Sequence, residues 1–290
     1  MVMLCTPIEY EEAKKLMATG DWVVQPKFDG IRAYIKAGRL YDRNDKDITE
    51  KFPEFIGIEE IAKKGMLDGE IIWLPKSEDE QRKFAISTLD LKHASFSNVQ
   101  SRIHQQSNFK FVARLMPCTF VAFDYVGYDK DGKMCNEEYR IRRVRMWGEL
   151  FKLGELFRLG NLRFPQLWIE VTDEGIVLET AWEVVQELQA EGLVLKNKHS
   201  VYENRRSNSW RKLKLWKDCE AEFTKMTEHG KGVRLETADG KSVTVNGMQA
   251  NEVKKIFGRD GKVRGEVQYM RQETGDAWRM PTWKRLVGDA

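Results

Sequence analysis

Apolar and polar residues alternate over short stretches along much of the chain, a pattern that is typical of β-strands. Turn residues separate these stretches, as at Asp29-Gly30 and Ala37-Gly38. The second of these pairs predicts a hairpin between strands 31–36 and 39–43. Further strands are predicted at 22–25, 70–74, 119–126, 192–197 and 210–216.

Three segments have helical patterns instead. Thr6-Pro7-Ile8-Glu9 has the form of a capping box and predicts a helix from Pro7 to about Ala18, and Thr180-Ala181-Trp182-Glu183 predicts one that ends at Ala190. Apolar residues at helical spacing predict a third helix over 137–152, whose apolar set is expected to pack against the rest of the domain. The fold class predicted by these elements is α+β, built on antiparallel sheet.

The pattern of apolar and polar residues changes after Asp218. Short alternating stretches follow at 221–226, 233–237, 242–246 and 263–271, with a short helix predicted near 251–257. Many short strands with one small helix favour a small β-barrel such as an OB-fold. The predicted domains are therefore 1–217 and 218–290.

Length and composition agree with two folded domains. The chain has 290 residues, of which 41% are hydrophobic and 32% charged, enough to build substantial cores. No apolar stretch approaches the length of a membrane span and no leader sequence is visible, so a cytoplasmic location is expected. The four cysteines lie far apart without CxxC spacing, which argues against a zinc cluster or a disulfide framework.

The net charge is only +3, but the positive residues are unevenly distributed. Between Lys196 and Lys217 there are eight lysines and arginines against a single acid, Glu203. Such a stripe can attract a polyanion by releasing its counterions, although a solvated surface gives the same pattern.

One lysine has distinctive neighbours. Lys27 follows a predicted strand and begins the pattern Lys-x-Asp-Gly-x-Arg, which ends at Arg32. Four fixed residues at about one in twenty each would occur by accident in about one chain in 500 of this length. Alone, Lys27 could be an ordinary exposed lysine beside a turn. A lysine becomes a nucleophile when burial or a nearby cation lowers its pKa, and Arg32 is expected to act as that cation.

The segment Lys27 to Arg32 resembles motif I of the covalent nucleotidyltransferases, which comprise ATP-dependent DNA ligases, RNA ligases and mRNA-capping guanylyltransferases. Other segments resemble the remaining motifs in the family order: 43–44 (motif Ia), 67–72 (motif III), 123–126 (motif IIIa), 191–196 (motif IV), 212–214 (motif V) and 279–281 with Arg285 (motif VI). Order and spacing together make a chance match negligible.

The resemblance implies a role for each matching residue. Lys27 would attack ATP and become joined to AMP, assisted by Lys212, Lys214 and, from the second domain, Arg279. The ATP site would comprise Gln25, Arg32, Glu70, Phe123, Glu191, Lys212 and Lys214, with Phe123 stacking on adenine. Glu70 and Glu191 would hold Mg²⁺ or Mn²⁺, and Arg43 would bind the 5′-phosphate of a DNA nick.

Among the family members, the chain resembles the minimal ATP-dependent DNA ligases of viruses, phages and some bacteria. Motif I begins at Lys27, and the motif VI segment Arg279-Met280-Pro281 differs from the Arg-x-Asp-Lys of capping enzymes. The implied partners are nicked duplex DNA and ATP, with the protein acting as a monomer. An RNA ligase, a GTP-using capping enzyme and a non-catalytic nick-binding module remain alternatives.

Overall fold

A computed structural model describes residues 2–73, 96–115, 117–159, 169–171, 176–270 and 277–287. It divides into two compact units, Met1–Leu213 and Lys214–Ala290. Among the described residues, no helix is both long and apolar enough to cross a membrane.

The first unit combines two sheets with helices. Its strands are β1 (Leu4–Pro7), β2 (Trp22–Lys27), β3 (Ile31–Lys36), β4 (Arg39–Asp42), β5 (Gly65–Trp73), β6 (Cys118–Gly127), β7 (Ile169–Val171), β8 (Gly192–Asn197) and β9 (Arg206–Lys214). Its helices are α1 (Tyr10–Ala18), α2 (Phe96–His104), α3 (Phe109–Leu115), α4 (Tyr139–Leu159) and α5 (Leu178–Leu188), with short 3-10 turns at Thr49–Lys51 and Ile58–Glu60.

The strand order brings distant parts of the chain together. One sheet has the order β1-β9-β8-β2 and the other the order β4-β3-β5-β6-β7. β2 and β8 are antiparallel, with Lys27 opposite Gly192. β3 and β5 are also antiparallel, with Arg32 opposite Glu70. The ends of β2 and β8 therefore place Lys27 beside the residue that precedes Gly192.

Two apolar clusters fill this unit. One packs β3, β5 and β6 against the 48–62 segment and includes Ile35, Phe52, Leu67 and Phe120. The other is smaller and joins aromatic side chains of several strands, among them Tyr34, Phe123, Tyr202 and Trp210. This second group is called the aromatic cluster below.

The second unit contains one curled five-stranded sheet and a helix, an arrangement consistent with an OB-like half-barrel. Its elements are β10 (Lys217–His229), β11 (Gly232–Thr237), β12 (Ser242–Val245), α6 (Gly247–Asp260), β13 (Val263–Tyr269) and β14 (Thr282–Leu286), in the sheet order β12-β11-β10-β13-β14. Phe223 lies at the centre of its core and contacts Trp278 and Trp283. The predicted α+β class with a small β-domain is confirmed.

Both predicted capping boxes are wrong. Thr6 lies in β1, where its hydroxyl donates to the backbone carbonyl of Ser207, and α1 begins only at Tyr10. Thr180 lies inside α5, whose first turn has no side-chain cap. In the first case a strand pairing with β9 takes the residues that the local pattern assigned to a helix start. Tertiary pairing overrides a local helix signal of this size.

The packing expected for the helix over 137–152 is only partly correct. Tyr139 and Met146 are fully buried on one face of α4. On the opposite face Val144 is 69% exposed and Phe151 71% exposed, and Ile141 and Trp147 are close to half exposed. Apolar residues occur all around this helix, so the sequence pattern could not distinguish the buried face from the exposed one.

Candidate functional site

Five of the predicted site residues meet near the end of β2. Gln25, Lys27, Arg32, Glu70 and Phe123 all line one pocket. Cys5, Pro26, Phe28, Val194, Lys196 and Trp210 complete its wall. The pocket encloses about 60 Å³, less than the roughly 300 Å³ at which small-molecule sites begin. A ligand of nucleotide size would therefore place only one part inside it, unless side chains move.

Lys27 lines this pocket and forms an ion pair with Glu191. Its Nζ lies 2.8 Å from a carboxylate oxygen of Glu191, whose side chain is 8% exposed. Burial lowers the pKa of Lys27, but the charges of Glu191 and Glu70 and the hydrogen bond to Glu191 raise it, and the net pKa lies above the ordinary value. The expectation that this pKa is lowered is therefore wrong for the protein without ligand.

The contacts of Arg32 explain why this residue does not lower the pKa of Lys27 as expected. Its Nε and Nη2 donate to the two carboxylate oxygens of Asp68 at 2.7 and 2.6 Å, and Nη2 also donates to the carbonyl of Met3. Asp68 is fully buried and accepts a further hydrogen bond from Tyr202. The positive charge of Arg32 is thus balanced locally, and Nη1 is the nitrogen that neither Asp68 nor Met3 engages.

Glu70 lies opposite Arg32 across the β3–β5 pair, and its carboxyl group has a raised pKa. Burial raises the pKa of Glu70 to about 7, even though the charges of Lys27 and Arg32 lower it. Together Glu70 and Glu191 supply two carboxylates next to one amine. Mg²⁺ in proteins is commonly held by one or two carboxylates together with substrate phosphates, so this donor set fits the metal site implied by the resemblance.

Phe123 forms part of the aromatic cluster and has cations around its ring. The guanidinium carbon of Arg32 lies 4.5 Å from the ring centre, and Lys196 Nζ lies 4.6 Å from it. The ring is 8% exposed and meets Trp210 edge to face. A flat base can stack on Phe123 only on a part of the ring that these cations leave open, or after Arg32 moves.

Lys196 and Trp210 also line the pocket, although no role in the site was predicted for either. Lys196 is 1% exposed, donates to the carbonyl of Phe123 at 2.6 Å and lies 4.1 Å from the Trp210 ring centre. It also lies 4.8 Å from the ring centre of Tyr139, whose hydroxyl accepts a hydrogen bond from Gln25. The alternation of β8 indicates that Lys196 and Val194 share a face, which was the available signal.

The remaining predicted residues lie outside this pocket. Arg43 is exposed in the turn that follows β4. Lys212 lies in β9, opposite Pro7 of β1, and its charge acts on the pocket residue Cys5. Lys214 and Arg279 belong to the second unit, where Lys214 Nζ lies 3.5 Å from the sulfur of Met270 and the Arg279 carbonyl accepts from the Met270 amide.

The chain is similar in sequence to known DNA ligases. The family model described as the ATP dependent DNA ligase domain matches residues 2–214. A probable DNA ligase of Koribacter versatilis is 30% identical over 235 residues, covering 73% of this chain and 38% of that protein. DNA ligase C1 of Mycolicibacterium smegmatis is 30% identical over 174 residues, covering 53% of this chain and 47% of that protein. This chain thus spans less than half of either relative.

The fold comparison covers both units. A solved structure of a Lig E DNA ligase, described as binding DNA with a minimal scaffold, aligns with 99% of this chain and 100% of its own at a TM-score of 0.65 and 18% identity. At that identity the likeness concerns the fold alone.

Proposed function

This chain belongs to the ATP-dependent DNA ligase family, and from that premise we propose that it seals nicks between a 3′-hydroxyl and a 5′-phosphate in duplex DNA at the expense of ATP. The observation that carries the proposal is the amine of Lys27, held 2.8 Å from Glu191 in the wall of a pocket that Phe123 also lines. A nucleophile, acidic neighbours and an aromatic wall are the groups that attack on a bound nucleotide requires.

In the first step the lone pair of Lys27 Nζ would form a bond to the α-phosphorus of ATP, while the bond to pyrophosphate breaks. The amine must lose a proton first, because a protonated lysine has no lone pair to donate. The carboxylates of Glu70 and Glu191, which raise the pKa of Lys27, are also the groups that would hold Mg²⁺ or Mn²⁺. A divalent cation at that position supplies neutralisation of charge on the phosphates. A cation held there would weaken the preference of these two carboxylates for the protonated amine.

Base binding would use the pocket wall. Adenine would stack on Phe123, and Gln25 would meet its edge from β2. Because the pocket encloses only about 60 Å³ and Arg32 lies against the Phe123 ring, we expect side-chain movement when the base enters. Lys212 and Lys214 would stabilise the charge on the α-phosphate, and Arg279 would orient the pyrophosphate.

In the second step AMP would pass from Lys27 to the 5′-phosphate of the nick, which Arg43 would hold with its planar guanidinium. In the third step the 3′-hydroxyl would attack that phosphate, forming the new phosphodiester and releasing AMP. Exposed residues of the basic stripe, such as Arg205 and Arg206, would provide charge for the DNA backbone.

The proposal is tested by incubating the protein with α-labelled ATP and Mg²⁺ and isolating the protein. We expect an acid-labile label that is absent from Lys27→Ala and retained by the matched surface variant Lys15→Ala. Labelling by GTP instead would indicate a capping enzyme, and no labelling at all would indicate a non-catalytic nick-binding module. Sealing assays on nicked DNA and nicked RNA duplexes then separate a DNA ligase from an RNA ligase.

A further inference from the structure

The turn that carries Arg43 is held by an unusually dense set of hydrogen bonds. The Asp42 carboxylate accepts from the backbone amides of Asn44 and Lys46 at 2.8 and 3.0 Å. The backbone of Asp42 also exchanges bonds with Asp45 and Lys46. Arg43 and Asn44 themselves are exposed at the tip. The turn therefore presents Arg43 to solvent on a fixed backbone.

Asp45 has a backbone conformation that needs support. Its φ is +65°, in the left-handed region that residues other than glycine seldom adopt, although aspartate tolerates it better than most. Its side chain points back to the body of the unit, where the hydroxyl of Tyr34 donates to Asp45 Oδ1 at 2.9 Å.

Tyr34 links this turn to the aromatic cluster. Its ring is 7% exposed, packs in the aromatic cluster with Phe123 and Trp210, and stacks on Tyr41 with ring centres 5.2 Å apart. Its backbone lies in β3, paired with Tyr41 on one side and Asp68 on the other. A rigid phenol thus connects the Phe123 side of the sheet with the turn of Arg43.

The hydrogen bond from Tyr34 to Asp45 also orients a negatively charged carboxylate. The Asp45 carboxylate is two residues from Arg43, and a free carboxylate at that distance can pair with the guanidinium and compete with a phosphate. By donating to Asp45, Tyr34 keeps that carboxylate turned toward the sheet. Removal of the hydroxyl would take away one of the contacts that hold the turn and this carboxylate.

We propose that Tyr34 and Asp45 are positioning residues that hold Arg43 in place for the 5′-phosphate of the nick, an inference that rests on the proposed function. They act on AMP transfer to DNA, and not on the reaction of Lys27 with ATP.

The test separates the two steps. Self-adenylylation is measured with ATP alone, and AMP transfer is measured from the pre-adenylylated protein to a nicked duplex. Tyr34→Phe should leave the first rate unchanged and slow the second about tenfold, since a hydrogen bond to a charged group is lost. Tyr41→Phe, which removes a hydroxyl from the ring stacked on Tyr34, is the matched control and should slow neither step.

Two further measurements distinguish positioning from general support. Adding Tyr34→Phe to Asp45→Gly should slow transfer no further than Asp45→Gly alone, because both substitutions remove the same hydrogen bond and glycine accepts the positive φ. Adding Tyr34→Phe to Arg43→Ala should cost no more than Arg43→Ala alone. Tyr34→Phe should also reduce the factor by which the protein binds a 5′-phosphorylated nick more tightly than a 5′-hydroxyl nick.

The inference is overturned if Tyr34→Phe transfers AMP as fast as the wild type, if it slows both steps equally, or if it slows transfer further when added to Asp45→Gly. A wild-type protein that takes no label from ATP would instead remove the proposed function, and this inference with it. The two failures are thus distinguishable in one series.

Discussion

Lys27 and Glu191 form an ion pair 2.8 Å long although they are separated by most of the first unit in sequence. The β2–β8 register produces it, because Lys27 lies opposite Gly192 and Glu191 precedes that residue. The pair favours the charged form of Lys27. Under the proposed function, we therefore expect the amine to react only when the surrounding carboxylates are engaged by a ligand.

Removal of this carboxylate should make Lys27 reactive at lower pH. Because the net pKa of Lys27 is raised, its neutral fraction grows only as the pH rises toward that raised value. Glu191→Gln lowers the pKa, so acylation of Lys27 by an amine-selective reagent, followed by peptide mass spectrometry without ATP, should begin at a lower pH than in the wild type. Glu187→Gln on the exposed face of α5 is the control. Identical pH profiles for Glu191→Gln and the wild type would contradict this account.

Glu70 should make the first unit less stable as the pH rises. Its pKa is raised by burial to about 7, so the folded protein retains a proton that the unfolded chain has already lost. The cost is absent below the ordinary carboxyl pKa and complete above about pH 7. Glu70→Gln should therefore be more stable than the wild type by up to about 3 kcal/mol at pH 8, and by little at pH 4.

Urea unfolding at the two pH values measures this difference. Glu11→Gln, an exposed acid in α1, serves as the control and should show no comparable pH-dependent gain. A gain for Glu70→Gln that is the same at both pH values would show that ionisation is not its cause.

Replacing only one partner of the Asp124–Arg142 ion pair should lower the free energy of unfolding. Both side chains are fully buried, and Arg142 Nε and Nη2 donate to the carboxylate at 2.8 and 2.9 Å. Asp124→Asn leaves a buried cation without its counter-charge and should lower the free energy of unfolding by about 3–5 kcal/mol. Glu60→Gln, which breaks the exposed pair with Lys63, should change it little.

A double variant checks the reason for that loss. Asp124→Leu with Arg142→Met removes both charges and should cost less than Asp124→Asn alone. Equal or greater loss in the double variant would show that shape, and not an uncompensated charge, dominates at this position.

Gly30 should not tolerate a side chain. A Cβ atom there would lie 2.2 Å from the carbonyl oxygen of Ile71, so β3 and β5 would have to separate where they carry Arg32 and Glu70. Gly30→Ala should destabilise the unit by about 1–3 kcal/mol and reduce labelling by ATP. Gly148→Ala in α4 meets no atom within 4 Å and should be neutral or stabilising. Similar behaviour of the two variants would refute the steric argument.

Local signals predicted local structure well. The β3–β4 hairpin forms around Ala37 and Gly38, both at positive φ as a two-residue turn requires, and β8 has the predicted bounds. The start of α1 was wrong because β1 pairs with β9, a contact that no local window contains. β14 was missed in the same way, since its partner β13 defines it as a strand.

The sequence predicted the site residues that belong to a motif. It did not predict the contacts that these residues make with distant parts of the chain. Lys27 and Glu70 meet in one pocket as expected. Arg32 was expected to depress the pKa of Lys27, but Asp68, which lies 36 residues further along the chain, takes its charge. Lys196 was overlooked because a lysine in a strand suggests exposure, whereas here the rings of Phe123, Tyr139 and Trp210 surround it.

The parallel pairing of β1 with β9 has a consequence for synthesis on the ribosome. Leu4 pairs with Arg206, so the first strand emerges about 200 residues before its partner exists. At about 5–20 residues per second that interval lasts on the order of 10–40 s. The edge of the sheet that flanks the Lys27 pocket is therefore completed only when translation of the unit is nearly finished, and a nascent chain halted earlier would hold an amino-terminal strand still waiting for its neighbour.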